Sequence, residues 1–63
     1  MKELQSLTLN QAEGKIVLNE WEGTNEVNYE IAHKDYNGML TKLHWSSNKE
    51  ESIEIFNKLK DIL

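Results

Sequence analysis

The sequence predicts an α+β fold: a four-stranded antiparallel meander (ββββα) with one C-terminal helix packed on one sheet face. Three observations lead there. Apolar and polar residues alternate in four short segments. Turn-forming residues separate those segments. The last stretch changes to helical spacing. The 63 residues contain no linker, repeat or low-complexity tract, so residues 1–63 are read as one domain.

Leu7 and Leu9 alternate with Ser6, Thr8 and Asn10 in the first segment. Ile16 and Leu18 alternate with Lys15, Val17 and Asn19 in the second, and Val27, Tyr29 and Ile31 with Asn28, Glu30 and Ala32 in the third. In the fourth, Met39, Leu43 and Trp45 alternate with Leu40, Lys42 and His44. A period of two in strand-forming residues marks sheet with one buried face.

Turn chemistry sets the register. Tyr36-Asn37-Gly38 suits a three-residue hairpin loop with Gly38 left-handed, placing Asp35 opposite Met39, Ile31 opposite Leu43 and Tyr29 opposite Trp45. A two-residue Asn37-Gly38 loop would set Ile31 against His44 and mix the faces. Gly23-Thr24 as a two-residue turn sets Leu18 against Tyr29 and Ile16 against Ile31. A loop from Gln11 to Gly14 sets Leu9 against Ile16 and Leu7 against Leu18. All three turns select the same buried face.

Ser47-Asn48-Lys49-Glu50 reads as a capping box opening the helix, with Glu50 and Glu51 at its positive end. Ile55, Phe56, Leu59, Ile62 and Leu63 then share one side, and Lys58 and Lys60 sit near the carboxyl end. Such a small core, without disulfide or metal, predicts marginal stability or a homodimer.

Composition excludes several classes. The chain has no Cys, Pro or Arg, and its seven Lys against eleven acids leave a net charge of -4. A disulfide miniprotein, a Cys-ligated zinc module and a thiol enzyme are excluded. The longest apolar run, Ile16-Val17-Leu18, falls far short of the ~20 residues of a membrane span. No signal-peptide pattern opens the chain, so a cytoplasmic location is expected.

This register leaves an open sheet face. Its rows hold Leu4, Trp21 and Glu26; then Ser6, Asn19, Asn28 and Ser46; then Thr8, Val17, Glu30 and His44; then Asn10, Lys15, Ala32 and Lys42, with Leu40 at the hairpin end. Trp21 and Val17 are its large apolar groups and mark a partner surface; the alternative is Trp21 folding over the strand edge onto Leu4. Glu30 and His44 form an expected cross-strand pair, either a partner-contacting group or a solvated surface contact. Glu20, Glu22, Glu26 and Glu30 cluster about the Gly23 turn as an acidic edge suited to a basic partner, or to solubility alone. Lys15 and Lys42 make a thin basic strip.

Catalysis is not expected. Glu30, His44 and Ser46 share the open face, but a flat sheet supplies neither a pocket nor oxyanion donors. His33 points to the helix side and His44 away from it, so no metal site or cofactor is expected.

Trp21-Glu22-Gly23 followed by Tyr29-Glu30-Ile31 is similar to a Trp-x-Gly…Tyr-acidic-Ile run in bacterial PC4-like sequences, and the four-strand-plus-helix order resembles the unit of PC4-like and PUR-repeat single-stranded nucleic-acid-binding proteins. The motif overlap covers strands two and three. The resemblance implies dimers that lay single strands along exposed sheet faces, through Trp21, Lys15, Lys42 and His44. The absence of Arg, and of the glycine- and lysine-bearing strand those proteins carry before the helix, departs from it. Together these readings predict a small non-enzymatic interaction module of regulatory or inhibitory type. It binds a protein partner through the open face and acidic turn edge, with Trp21, Val17, Glu30, His44, Lys15, Lys42 and Leu40 as contacts. The alternative is a transcription-related single-stranded DNA or RNA binder.

Overall fold

A computed structural model describes residues 1–10 and 12–63. Strands β1 (Lys2–Thr8), β2 (Lys15–Glu22), β3 (Val27–Lys34) and β4 (Leu40–Ser46) form one antiparallel sheet in the order β1-β2-β3-β4, and helix α1 (Lys49–Ile62) packs on one face. The α+β meander with a single C-terminal helix is therefore the observed fold. Ile16, Leu18, Tyr29, Ile31 and Phe56 form the core, with Leu4, Leu7, Leu9, Ile53, Ile55 and Leu59 packed around them.

The first two turns shift pairing from expectation by two residues and keep parity. Leu7 pairs with Ile16 instead of Leu9 doing so, and Leu9 N–H reaches the Gly14 carbonyl at 3.4 Å. Of the expected Gln11–Gly14 loop, Gln11 lies outside the described residues. Between β2 and β3 the turn centres on Thr24-Asn25 instead of Gly23-Thr24: Gly23 N–H donates to the Glu26 carbonyl at 2.7 Å, and Leu18 faces Ile31. Either shift moves pairing by two residues, so the same side chains stay inside. The third turn forms as read, but the expected Ile31–Leu43 and Tyr29–Trp45 pairs do not, since Ile31 faces His44 and Tyr29 faces Ser46. Gly38 has φ +83°, and Asp35 N–H donates to the Met39 carbonyl at 3.0 Å. The Asp35 carboxylate also accepts the Asn37 and Met39 N–H groups at 2.9 Å each, an aspartate turn.

Two β-bulges change parity, and these matter for function. In β1, Glu3 pairs with Asn19 and Gln5 with Leu18, so Leu4 is an extra residue. Leu4 consequently packs against the core instead of the open face. In β4, Lys42 pairs with Ala32 but His44 pairs with Ile31, so Leu43 is extra. From His44 onward the faces are reversed relative to the alternating pattern: His44 and Ser46 face the helix, and Trp45 faces out. Leu43 itself is exposed on this edge strand, as is Met39.

Asn48, one residue later than expected, caps α1; its side chain accepts the Glu51 N–H at 3.0 Å, while its own N–H donates to Ser46 Oγ at 3.0 Å. Ser52 fits into the closely packed helix–sheet contact by donating its hydroxyl to the Asn48 carbonyl at 3.0 Å. The helix packs on β2, β3 and β4. Its last turn passes beyond the core, so Ile62 and Leu63 are exposed and line a depression with Leu9, Ala12 and Ile16. The apolar helix stripe therefore buries less than its spacing predicts.

Candidate functional site

The face of the sheet opposite α1 carries Val17, Asn19 and Trp21 from β2, Glu30, Ala32 and Lys34 from β3, and Leu40, Lys42 and Trp45 from β4. The bulge at Leu43 is what assembles it. Trp45 arrives beside Trp21, ring centroids 6.5 Å apart and planes inclined by 41°. The Lys42 ammonium lies 4.3 Å from the Trp45 ring centre, a cation–π contact. Trp45 remains 43% exposed and is the large apolar group this face offers to a partner.

Beneath the indoles lies a polar pair. Glu30 is only 5% exposed and Asn19 is fully buried. Trp21 Nε1–H donates to Glu30 Oε1 at 2.9 Å, and Asn19 Nδ2–H donates to the same oxygen at 3.2 Å. Glu30 forms no ion pair among the described residues. Asn19 Oδ1 is buried and accepts no hydrogen bond. A buried carboxylate and an unpaired amide carbonyl are costly to hold in a folded chain.

The expected contacts are dispersed accordingly. Trp21 is on the open face as read, and its partner is Trp45 rather than Leu4, which lies in the core. Lys15, Lys42 and Leu40 also occupy this face. Val17 is on it but wholly buried in β2, the strand across which the Lys34–Glu3 ion pair, 3.7 Å long, joins β3 to β1. Val17 is therefore no contact for a partner. Glu30 supports the indoles from below. His44 is corrected outright: it lies on the helix side, its Nε2 3.9 Å from Glu51 Oε1, and the expected Glu30–His44 pair does not exist. His33 lies on that side too, its Nε2–H donating to the Glu13 carbonyl at 2.8 Å. Glu30 and the pair His44 and Ser46 thus face opposite ways, and no cluster of metal-ligating side chains occurs among the described residues.

Sequence reasoning missed Trp45 and Lys34 as members of this face, and it placed Asn19 there without a role. Lys34 and Lys15 flank a depression of about 410 Å³ with Thr8 and Tyr36 at the hairpin end. The acidic turn divides: Glu20 and Glu22 lie on the helix side near Tyr29, whereas Glu26 closes the turn next to Trp21 and its neighbour Asn28. No described helix is long and apolar enough to cross a membrane. No family model, curated protein or solved structure matches the chain.

Proposed function

We propose that the protein is a small non-enzymatic interaction module of regulatory or inhibitory type that binds a protein partner through the Trp21–Trp45 face and the adjoining acidic turn. One observation carries the reading. A half-exposed tryptophan is held on a second, anchored tryptophan above a buried carboxylate, on a sheet face that α1 leaves uncovered. Preorganised aromatic side chains of this kind dominate partner binding because they bury large area at little entropic cost. Glu26, in the turn that follows Trp21, borders it and favours a basic partner. The test is affinity capture from cell extract on the immobilised protein and on Trp45→Ala, read by mass spectrometry. Proteins retained by the first and lost by the second support the reading; identical sets overturn it.

A second reading has its own support: Lys15, Lys34 and Lys42 and the exposed Tyr36 and Trp45 adjoin one another on this face. Aromatic platforms along a basic track suit single-stranded DNA or RNA, in line with the PC4-like and PUR-like resemblance. Fluorescence polarisation with labelled oligo-dT at low salt separates the two. Binding that falls steeply with salt favours nucleic acid, and none at tens of micromolar retires it.

The module acts as a homodimer in this proposal. Exposed Met39, Leu43, Ile62 and Leu63 supply apolar area, and β1 and β4 are unpaired edges. A stable monomer in sedimentation at low micromolar concentration refutes this part.

A further inference from the structure

The polar pair under the indoles specifies more than an aromatic contact. Resting on the protein-binding reading, we propose that the site is a receptor for one arginine side chain of the partner. Its guanidinium would stack on Trp45 and bond to Glu30 Oε2.

The acceptor comes first. Both hydrogen bonds to Glu30 fall on Oε1, leaving Oε2 without a partner among the described residues. Asn19, directly opposite Glu30 on the neighbouring strand, is sealed beneath and holds Oε1 through Nδ2. A free carboxylate oxygen suits the N–H groups of a planar guanidinium. A negative charge buried without a counter-ion gains most from a cation that brings its own hydrogen bonds.

The walls come next. Trp21 and Trp45, inclined by 41°, bound this pair, and Trp45 already takes the Lys42 ammonium at 4.3 Å. An indole that holds an ammonium holds a guanidinium better, because the latter is flat and weakly hydrated. Lys42 stays on the indole and forms no ion pair with Glu30. The chain has no arginine of its own. The guanidinium is therefore supplied from outside these 63 residues, by the partner.

The test uses the full chain labelled with ¹⁵N and titrated with N-acetyl-arginine amide, with N-acetyl-lysine amide and sodium chloride at matched ionic strength. The Trp21 and Trp45 indole N–H signals are expected to shift saturably with the arginine compound and several-fold more weakly with the lysine compound. Glu30→Gln keeps an acceptor for Trp21 and Asn19 while removing the charge, and is expected to weaken binding about tenfold. Trp45→Ala, a change at a half-exposed position, provides a folded variant should Glu30→Gln not fold, and is expected to abolish the shift of Trp21. Absence of a saturable shift overturns the proposal, as do equal responses to arginine and lysine or an unchanged affinity in both variants. If Trp45→Ala loses captured proteins while the arginine compound gives no shift, the binding face stands and the arginine receptor falls.

Discussion

Trp21 donates its indole N–H to Glu30 at 2.9 Å, and Trp45 rests on Trp21 with centroids 6.5 Å apart. The two tryptophans therefore have different jobs. One is tied into a buried polar pair, and the other lies on top of it with 43% of its surface in solvent.

That difference predicts unequal costs of truncation. Trp21→Ala removes a donor from a buried carboxylate and strips cover from Asn19, so a loss of about 2–4 kcal/mol is expected. Trp45→Ala is expected to cost roughly 1 kcal/mol or less, since its packing is one-sided. Urea denaturation of the two variants measures both. Equal losses would contradict the anchoring role given to Trp21. It follows that Trp45, not Trp21, is the position at which binding can be probed without disturbing the fold.

Gly14 and Gly38 have nearly the same backbone angle, φ +84° and +83°, in different surroundings. A Cβ on Gly38 meets nothing within 4 Å, whereas one on Gly14 collides with the Lys34 carbonyl oxygen and crowds the His33 ring. Gly38→Ala is expected to cost about 1–2 kcal/mol, the left-handed strain alone. Gly14→Ala must also displace the β1–β2 loop from β3 and is expected to cost clearly more. Thermal melts of the pair by circular dichroism decide it.

Phe56 is the largest fully buried side chain and the helix's main insertion into the sheet. Phe56→Ala is expected to cost about 3–5 kcal/mol. In so small a domain that is a large share of total stability. Loss of the cooperative transition, followed by far-ultraviolet circular dichroism, is the expected result.

Burial raises the Tyr29 phenol above its ordinary value of 10.0, helped by the neighbouring Glu20 carboxylate and by the charge of Glu22. The fold thus favours the neutral phenol. Its contribution is complete below the unfolded value near 10 and is lost as pH rises through the higher folded value. Denaturant midpoints should fall more steeply above that pH for the native chain than for Tyr29→Phe. Parallel curves would remove the Tyr29–Glu20 interaction as a source of alkaline sensitivity.

Most of the architecture was legible because it depends on local rules. Alternation marked the strands, and Tyr36-Asn37-Gly38 named its own turn through a glycine and an aspartate that caps it. Asn48 in place of Ser47 as the cap, and Thr24-Asn25 in place of Gly23-Thr24 as the turn, shift an element edge without altering which residues are inside.

The candidate site was legible only in part, and Trp45 shows why. Leu43-His44-Trp45 alternates as cleanly with the tryptophan inside as out. A bulge adds one residue without a compositional mark, and reverses every side chain after it. The tertiary structure settles the choice. Phe56 and Ile53 pack in the core on that side, and there His44 comes to lie near Glu51 at the helix start. Residue by residue, then, the amino-acid order determined the strands, their sequence and the helix, since these follow from periodicity and turn chemistry. The tertiary structure decided where β1 and β4 bulge, and with the second bulge which tryptophan meets the solvent, because only neighbours distant in the chain can make one parity cheaper than the other.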